Sequence, residues 1–334
     1  MVIINSQIQP KMGIKHLNRF LKENCSKNAI RKIEIHQIHG KRVVIDASIY
    51  MYKYMADDAL IENMYQLITI LLLNNIIPFF VFDGKPPPEK YDLITQRKEE
   101  KKNAENEYSE LLFKYEHTDN KNEKKHMMQA LIELKHKFVR VKNTDKVRVK
   151  ELLTAFGIMY YDSTHEADEI CAYMVKSGKA WACLSDDMDM FVYGCTRVLR
   201  NISLIHKTVI LYETPIILKE LCMTEQHFKQ VMVLSGTDYN TNTLTSLDDT
   251  ISWYSKYKLA LTGNTITEPP QFYEWLLDNS DYITDIDNLR SICQLFTIYQ
   301  TNQDLSLENL KIILKNRNDN RIHDIMEKEG FVFT

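Results

Sequence analysis

Residues 42–84 open on R-V-V-I-D-A-S (Arg42–Ser48) and close on I-P-F-F-V-F-D-G (Ile77–Gly84), and the reading of this stretch decides the fold. Both ends are runs of β-branched and aromatic residues, apolar at successive positions, as suits strands buried on both faces. Each run stops at an acid, Asp46 and Asp83. Between them, Asn63–Phe82 is 20 residues without a charge, long enough to raise the question of a membrane span. Gln66, Asn74, Asn75 and Pro78 interrupt it, however, and Leu60, Met64, Leu67 and Leu71 recur at helical spacing. The stretch therefore reads as helix (Asp57–Asn74), tight turn and buried strand, with no membrane partner. Strand, helix and strand in this order predict a parallel α/β sheet.

The pattern recurs outward. Ala180–Asp189 reads A-W-A-C-L-S-D-D-M-D, again an apolar run ending in acids. Helices are predicted over Val147–Phe156 and His165–Ser177, and two more strands over Arg197–Ile202 and Thr208–Tyr212. From Pro215 the chain reads as mostly helical: Pro215–Cys222, Glu225–Leu234, Asp248–Leu261, Gln271–Asp278 and Ile286–Thr297. Lys85–Lys150 interrupts this order. It begins with three prolines, lacks glycine, and carries 17 Lys and Arg against 12 Asp and Glu. Arg97–Lys114 is dense in helix formers but has little apolar stripe, so it has no core to face.

Across 334 residues the formal charge is −3, which excludes a uniformly basic nucleic-acid coat. It does not exclude a local basic face: the interrupting segment is +5, and the remainder is therefore −8. A hydrophobic content of 44 % is that of a globular chain. The six cysteines are scattered and form no C-x-x-C pair, so they are expected to be reduced thiols of an intracellular (cytoplasmic or nuclear) protein. No apolar leader is evident near the N-terminus, so no secretion signal is expected. His36 and His39 have H-x-x-H spacing but no further ligand pattern, and are read as surface histidines.

Any single strand-end acid reads as readily as a helix cap. The set reads differently. Asp46 and Asp83 end strands, Glu166 and Asp168 open a helix, Asp187 and Asp189 follow a strand, and Asp238 follows a helix in L-S-G-T-D-Y. In a parallel sheet such positions gather at the carboxyl edge, where ligands bind. Seven carboxylates in one cleft repel one another and resist ionisation unless hard cations join them; Mg²⁺ fits best, with Mn²⁺ as a substitute. Two such ions suit hydrolysis of a phosphodiester. Lys90 and Arg97, seven residues apart and so on one helical face, are placed to hold a phosphate. Of Tyr50, Tyr52 and Tyr54, at least one is expected in the core and one facing the cleft is suited to stack on a base.

These residues, in this order, resemble the flap endonuclease and XPG-type 5′ nuclease superfamily. The resemblance runs from Met12-Gly13-Ile14 through V-V-I-D-A-S, F-V-F-D-G-K-P-P, H-E-A-D-E (His165–Glu169) and S-D-D-M-D (Ser185–Asp189) to L-S-G-T-D-Y (Leu234–Tyr239). It implies an α/β, PIN-like parallel-sheet core with an inserted helical arch and a mostly helical C-terminal region. The corresponding divisions are 12–84, 85–150, 151–245 and 246–334, the last with a degenerate helix–turn–helix. It implies that the seven acids ligate two metal ions and that Lys90 and Arg97 steer phosphate at the foot of the arch. Tyr52 would stack on a nucleotide, with Gly13, Lys85, Lys98, Arg140 and Lys142 as further DNA contacts. The implied activity is Mg²⁺-dependent hydrolysis of DNA at single-strand/double-strand junctions with 5′ polarity, by a monomer. The substrates would be 5′-flap, nicked or recessed-end duplexes arising in replication, repair or recombination. Alternatives are a bubble- or junction-type nuclease of the same superfamily, or a non-catalytic PIN-like scaffold that binds nucleic acid. The chain departs from the family pattern at Asp168, where glutamate is usual, in the eleven residues before Met12, and in the absence of glycine from Tyr239–Thr262, where a K⁺-binding hairpin is usual. No sliding-clamp-binding motif is evident near the C-terminus.

Overall fold

Val43, Val44 and Ile45 alternate between two hydrophobic cores, Val44 in one and its two neighbours in the other. This is the side-chain alternation of a strand with both faces covered. In the computed structural model, which describes residues 14–240, 244–262, 271–298 and 305–333, that strand lies near the middle of a seven-stranded sheet. The strands are β1 (Ile30–Glu34), β2 (Arg42–Asp46), β3 (Ile77–Phe82), β4 (Tyr160–Asp162), β5 (Ala182–Leu184), β6 (Arg197–Ser203) and β7 (Thr208–Glu213). Their spatial order is β1-β7-β6-β5-β2-β3-β4. Strands β2 to β6 are mutually parallel, and β7 and β1 add antiparallel at one side.

The helices preceding the last strand are α1 (Leu17–Asn24), α2 (Ala47–Ala56), α3 (Leu60–Leu73), α4 (Tyr91–His117), α5 (Lys121–Lys137), α6 (Asn143–Ala155), α7 (Ala167–Lys176) and α8 (Asp189–Val192). After it come α9 (Thr214–Glu220), α10 (Glu225–Leu234), α11 (Leu247–Thr262), α12 (Phe272–Asn279), α13 (Ile286–Leu295), α14 (Leu305–Glu308) and α15 (Asp319–Lys328). Helices α2, α3, α6 and α15 share one core with Val43, Ile45, Phe80 and Phe82. Helices α1, α7, α8 and α10–α13 share the other with Val44, Phe79, Val81 and Cys183. The chain thus steps from β2 to β3 to β4 in one direction, then returns to β5 on the opposite side of β2. The point where the direction changes, between β2 and β5, leaves a crevice at the strands' carboxyl ends.

The parallel α/β core and the helical C-terminal region agree with the sequence reading. The predicted helix from Asp57 begins at Leu60, because Asp57 caps α2 and Asp58 turns through a left-handed conformation (φ 55°) between the two helices. Residues 85–150 form the hairpin of α4 and α5 and lead into α6. Their apolar content is as thin as the sequence suggested: only Ala104, Leu131 and Leu134 are buried within the hairpin. Gly157 ends α6 at φ 71°, and a side chain there would collide with the backbone of Lys315, which runs against it. Among the described residues no helix is long and apolar enough to cross a membrane, and all six cysteines are free thiols.

Candidate active site

Strand β2 delivers Asp46 to the crevice, where the chain turns directly into α2. One carboxylate oxygen of Asp46 caps that helix, accepting from the Ser48 and Ile49 amides at 3.0 and 3.3 Å. Its other oxygen lies 3.4 Å from the Ser185 hydroxyl, at the end of β5. The helix-cap and site readings of this acid therefore hold together, one oxygen each.

Asp83 follows β3, and Gly84 decides what stands beside it. A side chain at Gly84 would collide with the carbonyls of Ser163 and Thr164. Glycine lets that segment come close enough for the Gly84 amide to donate to the His165 carbonyl at 2.7 Å. The approach brings the start of α7 to Asp83, whose carboxylate accepts from the Ala167 amide at 2.7 Å. Glu166 and Asp168 are thereby set beside the first two acids. From β5, Ser185 receives the Asp187 amide on its hydroxyl, and Asp187 in turn receives the Asp189 amide at 2.9 Å. Asp238 comes from the turn after α10, which is closed by pairing between Thr237 and Asn240.

Three of the acids lie deep, Asp46, Asp187 and Asp189 being 4 %, 7 % and 2 % exposed, and the other four are half-buried. Burial pushes the Asp46 carboxyl well above its ordinary range, and Asp83 and then Asp187 add to the push. Burial does the same to Asp168, reinforced by Asp187, Asp46 and Glu166. Asp189 is raised by burial and by Asp187 and Asp238, and Asp187 by burial and Asp238. These mutual influences tie all seven acids into one electrostatic cluster.

Two cations from the inserted segment answer the charge. The Lys90 ammonium lies 2.8 Å from Glu166 and 3.7 Å from Asp238, and the Arg97 guanidinium lies 2.8 Å from Asp238. Burial works to lower the Lys90 ammonium, but Glu166 and its neighbours outweigh it and hold the group protonated. The expectation of one shared helical face needs correction: Lys90 ends a short 3₁₀ turn, Pro88–Lys90, and Arg97 sits within α4. A 3₁₀ turn has three residues per turn, so a seven-residue spacing that starts in it does not return to one α-helical face. The two cations still converge, on Asp238.

Tyr50 and Tyr54 are core residues, and Tyr52 is the partly exposed one, at 39 %. The Lys101 ammonium lies 5.0 Å from the Tyr52 ring centre and donates to the Val139 carbonyl at 3.0 Å. Arg140 pairs with Glu105 at 2.6 Å, Lys142 precedes α6 with its amide on Asp145, and Lys85 and Lys98 are exposed. Gly13 lies outside the described residues. His36 and His39 are exposed, with His36 beside Glu34.

The sequence reading passed over three neighbours of the cluster. Tyr239 donates its hydroxyl to Glu166 at 2.6 Å, and the Lys90 ammonium lies 4.5 Å from its ring centre. Lys146 donates to the Asp83 carbonyl at 3.0 Å. Arg200 donates to the Asp186 carbonyl at 2.6 Å. Adjacency to Asp238 was a signal for Tyr239; for the other two, only the fold brings them near.

As the side chains stand, no three Asp, Glu, His or Cys among the described residues are disposed to hold one metal ion. The donor chemistry nonetheless suits a hard cation: the ligands on offer are all carboxylate oxygens, and the Asp189 Oδ1 atom is buried without a hydrogen-bond partner. Glu166 and Asp238 carry Lys90 and Arg97 where a cation would compete.

Two family profiles match the chain, the XPG N-terminal domain over residues 12–104 and the XPG I-region over residues 157–238. Flap endonuclease 1 of Methanococcus aeolicus is 30 % identical over 329 residues, covering 89 % of this chain and 91 % of that one. Flap endonuclease 1 of Homo sapiens is 28 % identical over 246 residues, 68 % of this chain and 62 % of that one. The matched part amounts to about three-fifths of several such relatives, for example 59 % of the Chlamydomonas reinhardtii protein. Among solved structures, the catalytic core of Rad2 in complex with DNA substrate superposes with a TM-score of 0.66 at 20 % identity, covering 96 % of each chain. Flap endonuclease-1 from Methanococcus jannaschii does so with a TM-score of 0.60 at 21 % identity over 90 % of each. Profile matches, the near full-length archaeal relative and the shared fold agree: this chain belongs to the flap endonuclease/XPG family.

Proposed function

We propose that this protein is a divalent-cation-dependent nuclease that hydrolyses DNA phosphodiesters at single-strand/double-strand junctions, working from the 5′ side as a monomer. The observation that carries the reading is the gathering of seven acids at the sheet's switch point, with two cations of the inserted segment drawn into them. A carboxylate pocket repels a polyanion, so a nuclease needs cations both within the pocket and at its rim.

In this reading Asp46, Asp83, Glu166, Asp168, Asp187, Asp189 and Asp238 hold two Mg²⁺ ions, or Mn²⁺ in their place. Ions held there supply Lewis-acid chemistry for phosphodiester hydrolysis. The chain's own residues do the rest. Helices α4 and α5 act as the arch that confines a single-stranded 5′ end. Lys90 and Arg97 exchange their carboxylate partners for phosphate oxygens of the strand, which places positive charge where negative charge develops. Tyr239 keeps Glu166 oriented after Lys90 has left it. Tyr52, on the rim beside Asp83, offers a ring face for an unpaired base. Lys85, Lys98, Arg140 and Lys142 contact the backbone around the arch. Replication, repair or recombination intermediates in a reducing compartment supply such substrates.

The test is a panel of end-labelled DNAs (5′ flap, nicked, recessed-end, bubble and four-way junction) incubated with the purified protein in Mg²⁺, in Mn²⁺ and in EDTA. Cleavage within a few nucleotides of the junction on the 5′-ended strand, abolished by EDTA, is the expected result. Binding without cleavage of any member, in either metal, overturns the reading in favour of a scaffold.

A further inference from the structure

Strand β6 carries a side chain that the scheme above leaves unused. Arg200 is 1 % exposed and heads the largest fully buried side chains of the protein. A buried guanidinium is tolerated when it is ion-paired and its donors are satisfied. Arg200 meets neither condition: it makes no ion pair with a described carboxylate, and its Nε and Nη1 atoms make no hydrogen bond. Its Nη2 atom donates to the Asp186 carbonyl at 2.6 Å, and its guanidinium lies 5.7 Å from the Tyr212 ring centre, with the Tyr212 hydroxyl as a further polar neighbour.

That bond is one of three by which consecutive β6 residues grip the loop carrying two of the acids. Leu199 accepts the Ser185 amide at 3.1 Å, and the Asn201 amide donates to the Asp186 carboxylate at 2.6 Å. Asp187 and Asp189 follow directly. The carbonyl that Arg200 holds belongs to the residue directly before Asp187, so the guanidinium is anchored one residue from the cluster. A guanidinium without an ion pair, held one residue from Asp187, sits in the field of the acids. Lys90 and Arg97 belong to the inserted segment and are free to be exchanged for phosphate. Arg200 is built into the sheet and stays.

We propose that Arg200 is a positioning residue of the acid cluster, a fixed buried cation that orients the Ser185–Asp189 loop through the Asp186 carbonyl and moderates how tightly the neighbouring carboxylates take up divalent cations. The proposal rests on the acids being a divalent-cation site. Too tight a hold on cations would stabilise the resting site; a fixed positive charge behind the acids offsets part of their combined attraction.

Two variants separate charge from geometry. Arg200→Met removes both the charge and the hydrogen bond; Arg200→Lys keeps the charge and loses the planar donor edge. Mn²⁺ binding without DNA is followed at pH 8 by loss of the free-ion EPR signal, and single-turnover cleavage of a 5′-flap DNA is measured at saturating Mn²⁺. The expected result is that R200M binds Mn²⁺ about three- to tenfold more tightly than wild type, as removal of one nearby positive charge dictates. R200K is expected to match wild-type affinity within about twofold while its cleavage rate falls at least about tenfold. A merely structural role predicts weaker Mn²⁺ binding on loss of the side chain. R200M that folds and binds Mn²⁺ no more tightly than wild type overturns the proposal. If R200M does not fold, R200K decides: altered affinity or an unchanged cleavage rate overturns it. A wild-type protein that takes up no Mn²⁺ and cleaves nothing refutes the nuclease reading itself, a distinguishable outcome.

Discussion

Asp189 shows what gathering the acids costs. It is 2 % exposed, its Oδ1 has no hydrogen-bond partner, and burial together with Asp187 and Asp238 raises its carboxyl well above the ordinary range. A carboxyl whose folded-state pKa lies above its unfolded value favours folding while protonated. That contribution is lost as pH rises from the ordinary aspartate range through the raised folded value. Asp46, Asp168 and Asp187 act in the same direction. The metal-free protein is therefore expected to melt at lower temperature at pH 8 than at pH 5.5. Asp189→Asn, which removes one buried charge, is expected to raise the pH 8 melting temperature by about 2–4 °C. Thermal scans in EDTA check both, and a melting temperature that rises with pH over this interval contradicts the assignment of repulsion to the cluster.

At the scale of elements, the inserted hairpin is thinly anchored. Helix α4 has one buried residue, Ala104, and α5 has two, Leu131 and Leu134. A hairpin with so few apolar contacts opens at low cost relative to global unfolding. Leu134→Ala is expected to speed amide exchange across residues 91–137 by about tenfold or more while the melting temperature of the whole protein changes little. Uniform acceleration over the sheet instead would show that hairpin and core unfold together. The missing apolar stripe was visible in the sequence, and so were the strands that are apolar throughout, such as V-V-I and F-F-V-F. Other elements were hidden. Strand β1, I-R-K-I-E, carries three charges in five residues and buries only Ile33; it lies at the sheet edge. Strand β4, Y-Y-D, is too short to carry a period. The acids were legible because each ends an element. Arg200 was not, because nothing in V-L-R-N distinguishes a buried arginine from one at the surface.

The molecule as a whole keeps its two charge populations in contact. The basic inserted segment roots at the acid cluster by both of its ends: Lys90, in the turn before α4, and Arg97, within α4, enter it, and Lys146 of α6 holds the Asp83 carbonyl. The C-terminal segment braces that second root. Helix α15 packs beside α6, with Arg321 at 3.3 Å from Glu151 and Arg148 paired to Glu329, while the Phe331 ring sits tilted against Tyr65 of α3, 5.5 Å between centres. Glycines at 84 and 157 allow the two closest backbone approaches in this frame, one setting Glu166 beside Asp83 and the other seating the C-terminal segment. A net charge of −3 is thus the sum of an acidic crevice and a basic arm that face each other. Asp187 is the member of the cluster whose charge raises Asp46, Asp168 and Asp189 and which Asp238 raises in turn. The most direct measurement is the single-turnover cleavage rate of a 5′-flap DNA in Mg²⁺ by wild type and by Asp187→Ala, with DNA affinity measured in parallel. The account predicts a loss of rate of at least about a thousandfold with affinity within a few-fold of wild type. Equal cleavage by the variant contradicts it.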